Sequence, residues 1–338
     1  MDGGELKPDT VKAFNEMLDG AKKVAILTHM NPDGDALGSA LTFQMVLDVR
    51  QVESKIFIAN GLPESLAWMP GSKNIQDKAT KEQLDVFLQS ADLITCLDFN
   101  EPGRMDHLAY VLEEPSLPVL ILDHHPQVKA YEGLQIATPK YSSTSELLYW
   151  ILKASDNLPA TKEMAECIYT GIVTDTGSFA YNASSPSTFR AVAELLEIGF
   201  DKDRVTDLVF QQFDASRMQM LGHMLANRMK IIDGYKTAYT YLTNEDLDKY
   251  DFKPGDTEGF VNYPLSMAGI RFTAFFIEKD DHVKISFRSK GDFAANEFSK
   301  KFFHGGGHLN AAGGKSFHSL NKTLQEFEEL VKAHYNEF

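Results

Sequence analysis

Three short apolar runs each end on a residue that can bind metal or move a proton, and this recurrence constrains the fold more than any other feature of the chain. Lys23 to Thr28 reads KVAILT and is followed by His29, Leu93 to Leu97 is followed by Asp98, and Val119 to Leu122 is followed by Asp123-His124-His125. Runs of this length, largely apolar and without alternation, are the pattern of strands buried on both faces. Lys55 to Ala59 supplies a fourth strand, and helix-length segments lie between, with Leu37, Leu41 and Met45 at helical spacing and a further segment from Lys81 to Gln89. The alternation predicts an α/β domain: a mainly parallel sheet with helices on both faces, which binds ligands beyond the carboxyl ends of its strands.

A chain of 338 residues exceeds what one core usually holds, so two domains are expected. Ser184-Ser185-Pro186-Ser187 combines a capping serine with a proline at the first helical position, and the helix that follows runs to Ile198 and stops at Gly199. Further on the texture changes. Met229 to Leu242 reads as a hairpin about Asp233-Gly234, and Gly269 to Ser289 as another about Asp280-Asp281. The division predicted is a first domain over 1–185, a helical linker over 186–228 and a smaller α+β domain over 229–338.

The formal charge of -15 argues against long nucleic acid, which is held by broad basic surfaces. A small phosphorylated ligand stays compatible, because bound cations would reverse the sign of a carboxylate-rich site. No apolar run reaches the roughly 18 residues of a membrane span, and Met1 to Thr10 carries no signal pattern. Cys96 and Cys167 sit in apolar stretches and read as buried thiols. The expectation is a cytoplasmic protein with no membrane partner.

Four segments carry the chemistry. His29-Met30-Asn31-Pro32-Asp33-Gly34-Asp35 places an imidazole and two carboxylates in one turn after a strand. Asp33 and Asp35, two apart, can face different neighbouring positions, which suits two adjacent ions. Gly34, Gly38 and Ser39 would leave room for a phosphate at the helix start. These residues also suit a plain turn with a helix cap, and Asp98 alone suits a solvated strand end. Asp123-His124-His125 offers a metal ligand, a proton donor and a carboxylate to orient them. Thr174-Asp175-Thr176-Gly177-Ser178 closes a helical segment with one more carboxylate. Capping explains each piece singly, but not the delivery of His or Asp by four segments to one sheet edge.

In the second domain, Gly305-Gly306-Gly307-His308 precedes Asn310 and Ala311-Ala312-Gly313-Gly314, and Arg288 ends the second hairpin. Glycine amides can cradle a phosphate and arginine can grip one with a planar fork, whereas a flexible loop is the plainer reading of the glycines. Arg104 reads equally as a phosphate ligand and as a surface arginine, and His304 is similarly ambiguous. His107, His223 and His282 have no ligand-like companions.

In this order the motifs resemble the DHH phosphoesterase superfamily, and the glycine–histidine segment resembles the first type of DHH-associated C-terminal domain. Within the superfamily the chain is similar to the nanoRNase/pAp-phosphatase branch. The resemblance implies that His29, Asp33 and Asp98 hold one ion, that Asp35, Asp98, His124 and Asp175 hold another, and that Asp98 bridges them. It implies an enzyme with two divalent ions, Mn²⁺ first and Mg²⁺ or Co²⁺ next, in which a metal-bridging hydroxide attacks phosphorus. His125 would donate a hydrogen bond or proton, Asp123 would orient the histidines, and Arg288, Gly305, Gly306, Gly307 and His308 would hold the nucleotide. The implied substrates are short single-stranded oligoribonucleotides, cut to mononucleotides, and adenosine 3′,5′-bisphosphate (pAp), which loses its 3′-phosphate. A homodimer is compatible with this reading. A cyclic-dinucleotide phosphodiesterase, a RecJ-type exonuclease, a pyrophosphatase and a noncatalytic nucleotide-binding scaffold are the alternatives.

Overall fold

The computed structural model describes residues 6–338 except 114, 126, 127, 159 and 254, and of His308 the backbone alone. The chain forms two compact units, with the boundary between Gln212 and Phe213.

In the first unit the elements run α1 (Pro8–Asp19), β1 (Lys23–Thr28), α2 (Gly34–Val49), β2 (Glu53–Phe57), α3 (Lys81–Leu88), β3 (Leu93–Leu97), a 3-10 segment (Pro102–Leu112), β4 (Val119–Asp123), β5 (Leu134–Ala137), α4 (Thr144–Ala154), α5 (Lys162–Asp175), α6 (Pro186–Ile198) and α7 (Lys202–Phe210). The five strands form a parallel sheet in the order β2-β1-β3-β4-β5. Alternate strand residues feed opposite faces, as the pleat requires. Val24, Ile26, Leu93, Leu97, Leu120 and Leu122 pack with α1, α2 and α4, while Ala25, Leu27, Ile94, Cys96 and Ile121 pack with α3 and the 3-10 segment. Helices on both faces explain why β3 and β4 are buried at every residue. β2 lies two residues earlier than expected, because Glu53 pairs with Lys23 at the start of β1. β5, at the sheet edge and partly exposed, is too short and too mixed in character to give a pattern.

The segment 186–228 is not a separate linker. Ala191 and Leu195 of α6 and Val205 of α7 are buried against Met164, Ile168 and Ile172 of α5, so both helices belong to the first unit. The apolar stripes that identify these segments as helices need a core to cover them, and each unit covers its own share.

The second unit comprises α8 (Ala215–Asn227), β6 (Met229–Ile232), β7 (Thr237–Leu242), α9 (Asn244–Lys249), α10 (Asn262–Leu265), β8 (Phe272–Glu278), β9 (Val283–Ser289), α11 (Ala295–Phe302), β10 (Gly306–His308), β11 (Ala311–Ser316) and α12 (Leu320–His334). Its mixed sheet has the order β10-β11-β9-β8-β7-β6. Both expected hairpins form, β6 with β7 and β8 with β9. Met220, Leu221 and Met224 of α8 are buried beside Leu242, Phe275 and Ile277, which assigns that helix to the second unit. An aromatic core built on Phe272, Phe276, Phe287, Phe298 and Phe327 lies among β8, β9, α11 and α12. Among the described residues no helix is long and apolar enough to cross a membrane.

Candidate metal centre

The strand order of the first unit reverses between β1 and β3, and at such a switch point the two flanking connections diverge to leave a crevice at the carboxyl ends. His29 leaves β1 and Asp98 leaves β3 at that position, with the Thr28 hydroxyl donating to the Leu97 carbonyl at 2.9 Å to pin the two strand ends together. Asp98 has a φ of 56°, in the left-handed region that a residue with a side chain rarely occupies, and Asn100 follows at 46°. The backbone amides of Phe99 and Asn100 in this turn both donate to Asp123 Oδ2, at 3.2 and 2.6 Å, so a buried carboxylate on β4 holds the unusual turn.

Asp33 reconciles the two readings of its turn. Its Oδ1 caps α2 by accepting from the amides of Asp35 and Ala36 at 3.0 Å each, while its Oδ2 lies 3.9 Å from His29 Nε2. Asp35 is the second residue of α2, in its buried first turn. Its carboxylate accepts from the amides of Thr144 and Ser145 at the N-terminus of α4, at 2.7 and 2.8 Å, and the Thr144 hydroxyl donates to Asp98 Oδ1 at 3.0 Å. The N-terminus of α4 thus fixes two carboxylates at once, Asp35 through its free amides and Asp98 through the Thr144 hydroxyl. Glu146 anchors that N-terminus: fully buried, it accepts from the amide and hydroxyl of Ser142 and from Ser187 and Thr188 of α6.

Glycine decides how near α5 can bring Asp175. A Cβ on Gly38 would lie 2.4 Å from the Cys167 carbonyl, and one on Gly171 would lie 2.0 Å from Ser145 Oγ and 2.7 Å from Asp35 Oδ1. The helices α2, α4 and α5 therefore meet almost backbone to backbone. This corrects the phosphate space expected at Gly34, Gly38 and Ser39. Gly34 faces Thr174, Gly38 faces α5, and the Ser39 hydroxyl donates to the Asp35 carbonyl, so that space is filled by helix packing.

Among the described residues three groups of metal-capable side chains result, each with its ligand atoms within 4.8 Å of one another: His29, Asp33 and Asp98; Asp35, His124 and Asp175; and Asp98, His124 and His125. His124 Nε2 is 3.2 Å from Asp175, 3.7 Å from Asp98 and 3.9 Å from Asp35. The chemistry of these donors fits a cation. His29 Nδ1 donates to the Met30 carbonyl at 2.8 Å, leaving the Nε2 lone pair buried, with no hydrogen-bond partner, 3.5 Å from Asp98 Oδ2. A lone pair and two carboxylates that converge without a donor between them call for positive charge. Burial opposes a proton on His29, yet Asp98 and Asp33 outweigh it and raise the pKa. Burial and the neighbouring Asp98 push Asp35 up to about 7, burial and Asp35 raise Asp175, and against its own burial the histidines hold Asp98 below the usual carboxylate range.

Asp123 does not join these groups. Its Oδ1 accepts from the amide and Nδ1 of His125, at 2.9 and 2.6 Å, so it orients that ring. On the other side of the ring, Arg104 Nη1 donates to His125 Nε2 at 3.0 Å. Arginine cannot accept, so His125 carries its proton on Nδ1 and offers Nε2 as an acceptor in this arrangement. Arg104 thus stands at the site and not on open surface. A single arginine six residues after Asp98 is too weak a pattern to identify from sequence, and the same is true of Thr144 and Ser145, whose backbone amides hold Asp35.

In the second unit the glycine segment is a strand. Gly306, Gly307 and His308 of β10 pair with Gly313, Ala312 and Ala311 of β11. Two of the glycines are demanded by their surroundings: just before the strand, a Cβ on Gly305 would lie 1.9 Å from the Gly313 carbonyl, and within it Gly307 has a φ of 141°. Only Gly306 of the three faces open space. Arg288 on β9 and His308 on β10 both pair with Ala311, which puts them in one row across the sheet, while the His308 side chain lies outside what the structure describes. Arg288 Nη1 donates to the Phe287 carbonyl at 2.9 Å. Asn310 Nδ2 donates to Ser289 Oγ and to the Gly291 carbonyl, tying the β10–β11 turn to the end of β9.

Comparison with known proteins agrees with this architecture. Residues 23–172 match the DHH family N-terminal domain, and residues 234–334 match the DHHA1 domain. The chain is 28% identical over 312 residues to the bifunctional oligoribonuclease and PAP phosphatase NrnA of Bacillus subtilis, covering 90% of this chain and 94% of that one. It is 27% identical to the protein of the same description from Thermus thermophilus, covering 99% and 100%. A crystal structure of an exopolyphosphatase-related protein from Bacteroides fragilis superposes with a TM-score of 0.92 at 36% identity, over 97% of each chain. The chain belongs to the DHH family, with a DHH N-terminal domain followed by a DHHA1 domain.

Proposed function

We propose that this protein is a metal-dependent phosphoesterase that hydrolyses short oligoribonucleotides to mononucleotides and removes the 3′-phosphate of pAp. The observation that carries the reading is the His29 Nε2 lone pair, buried without a partner beside Asp33 and Asp98, with Asp98 also facing His124 of a second group. Similarity over nine-tenths or more of both chains to proteins named for these two activities supports the substrate class.

His29, Asp33 and Asp98 would hold one divalent ion, and Asp35, His124 and Asp175, with Asp98, the other. Mixed imidazole and carboxylate donors favour Mn²⁺, with Mg²⁺ or Co²⁺ as substitutes, and such ions supply charge for the phosphoryl oxygens and acidity for a nucleophilic water. The amides of Thr144 and Ser145 hold Asp35 still while it serves as a ligand, and the Thr144 hydroxyl does the same for Asp98. Asp123 would keep the His125 ring facing the phosphate, where it donates a hydrogen bond or proton once Nε2 is protonated. The second unit would supply phosphate-gripping groups from Arg288, the Gly305 to Gly307 backbone and His308. A net charge of -15 suits a short substrate better than a long polyanion. Both cysteines are free and buried, which suits a reducing compartment, and we assign the enzyme to the cytoplasm.

The test is hydrolysis of pAp, a 5′-phosphorylated RNA dinucleotide, a cyclic dinucleotide and pyrophosphate by protein stripped of metal and reloaded with Mn²⁺. Release of phosphate from pAp and of mononucleotides from the dinucleotide, only with metal, is the expected result. Turnover confined to the cyclic dinucleotide or to pyrophosphate would replace this reading, and no turnover by loaded protein would leave a binding role.

A further inference from the structure

Arg104 is delivered to the metal centre by a chain of contacts that surface arginines do not have. The turn from Asp98 to Asn100 is held by Asp123, and Pro102 then opens the 3-10 segment that contains Arg104. The Arg104 carbonyl accepts from the Met30 amide at 2.7 Å, which ties this segment to the loop carrying His29 and Asp33. The guanidinium is half-buried and close enough to His29 to disfavour a proton there.

Its bonding is incomplete. Among the described residues, its one side-chain hydrogen-bond partner is His125 Nε2, and no carboxylate lies within ion-pair distance, although the carboxylates of the site are near. A guanidinium has five donors in a planar fork and bonds far more strongly to a phosphoryl oxygen than to a neutral imidazole nitrogen. Two divalent ions would satisfy the carboxylates, leaving Arg104 as a cation without a counter-ion beside the ring that the preceding reading aims at the phosphate.

We propose that Arg104 binds the phosphate that is cleaved, exchanging its bond to His125 for a phosphoryl oxygen as substrate enters. Resting on the phosphoesterase reading, this assigns Arg104 two states. Without substrate it occupies His125 Nε2 and holds the ring between itself and Asp123. With substrate it moves to the phosphate and leaves Nε2 accessible. An arginine on a transferring phosphoryl group, fixed before the reaction, stabilises charge that grows in the transition state.

The experiment compares Arg104→Met and Arg104→Lys with wild type and with His125→Ala, all loaded with Mn²⁺, using pAp turnover and calorimetric binding of inorganic phosphate. Expected is a loss of about 100-fold or more in kcat/KM for Arg104→Met, partly recovered in Arg104→Lys, with Mn²⁺ affinity unchanged. Phosphate should bind roughly tenfold or more weakly to Arg104→Met than to wild type, and the substitution should still cost turnover in the His125→Ala background. If Arg104 merely orients His125, it will cost nothing further in that background, and the proposal falls. Equal phosphate affinity in Arg104→Met and wild type, or no phosphate binding by wild type, also overturns it. Because phosphate binding is read without turnover, failure of the nucleotide-hydrolase reading shows separately, as inactive wild type.

Discussion

The two ligand groups that Asp98 touches, one through His29 and the other through His124, are built in different ways. The group of His29, Asp33 and Asp98 is open at one member: the Asp33 side chain is 52% exposed and gives one carboxylate oxygen to capping α2, while His29 and Asp98 are buried and His29 Nε2 has no hydrogen-bond partner. Asp35, His124 and Asp175 form a more enclosed group: Asp35 is wholly buried and held by two amides of α4, His124 is buried, and Asp175, 26% exposed, is brought in on α5 by glycine contacts. A preformed, enclosed group loses little freedom on taking an ion, whereas an open one must order Asp33 and desolvate it. The enclosed group should therefore bind its ion more tightly and retain it, and the open group should exchange its ion and meet the substrate.

The largest effect that can break this comparison comes from Asp98, the residue proposed to serve both ions. Asp98→Ala should abolish binding of both ions in calorimetry with Mn²⁺ and lower turnover by about a thousandfold or more, whereas Asp33→Asn should remove the weaker binding step alone. If the two variants lose the same step, the division into an open and an enclosed group is wrong. Thr144→Val keeps the amide that holds Asp35 but deletes the hydroxyl on Asp98. It should weaken Mn²⁺ binding about tenfold with little change in melting temperature, and an unchanged affinity would show that the hydroxyl does not orient Asp98.

The smallest effect concerns stability without metal. Asp175 and Asp35 have pKa values raised above those of the unfolded chain, where an aspartate titrates near 3.8, and Asp35 reaches about 7. Between those values the folded state binds more protons than the unfolded state. The metal-free protein should therefore lose stability as pH rises from about 4 to about 7, because folding then buries carboxylates that repel one another. Asp175→Asn removes one of them. Its metal-free melting temperature should exceed that of wild type by a few degrees at pH 8, with a smaller gap at pH 5, while the stabilisation by Mn²⁺ that wild type shows should shrink. A gap that does not widen with pH would show that Asp175 carries no such penalty.

Much of the site is legible in the chain because strand ends are legible. An apolar run long enough for one strand, closed by His or Asp, announces both the element and its carboxyl edge, and three such runs in a parallel sheet must deliver their last residues to the same side. The hairpins of the second unit are legible for a similar reason, since Asp233-Gly234 and Asp280-Asp281 interrupt alternating segments. What depends on position across the sheet is not legible. Arg104 belongs to the site because of a turn held by Asp123, Thr144 and Ser145 act through amides that any residue possesses, and Glu146 is a buried anchor that reads as one more acidic residue on a helix. The linker expected over 186–228 dissolved into two cores because an amphipathic helix does not declare which core it covers.

The sequence by itself determined the strand and helix alternation, the residue types at the strand ends, and so the DHH character of the first unit, since period and polarity are local properties. Tertiary structure alone decided that the glycines of α2 and α5 serve helix contact instead of phosphate space, that Gly306 to His308 form a strand, and which carboxylates are enclosed. Those outcomes depend on what lies across the gap from each residue, and burial, pKa and backbone contact are set by neighbours remote in the chain.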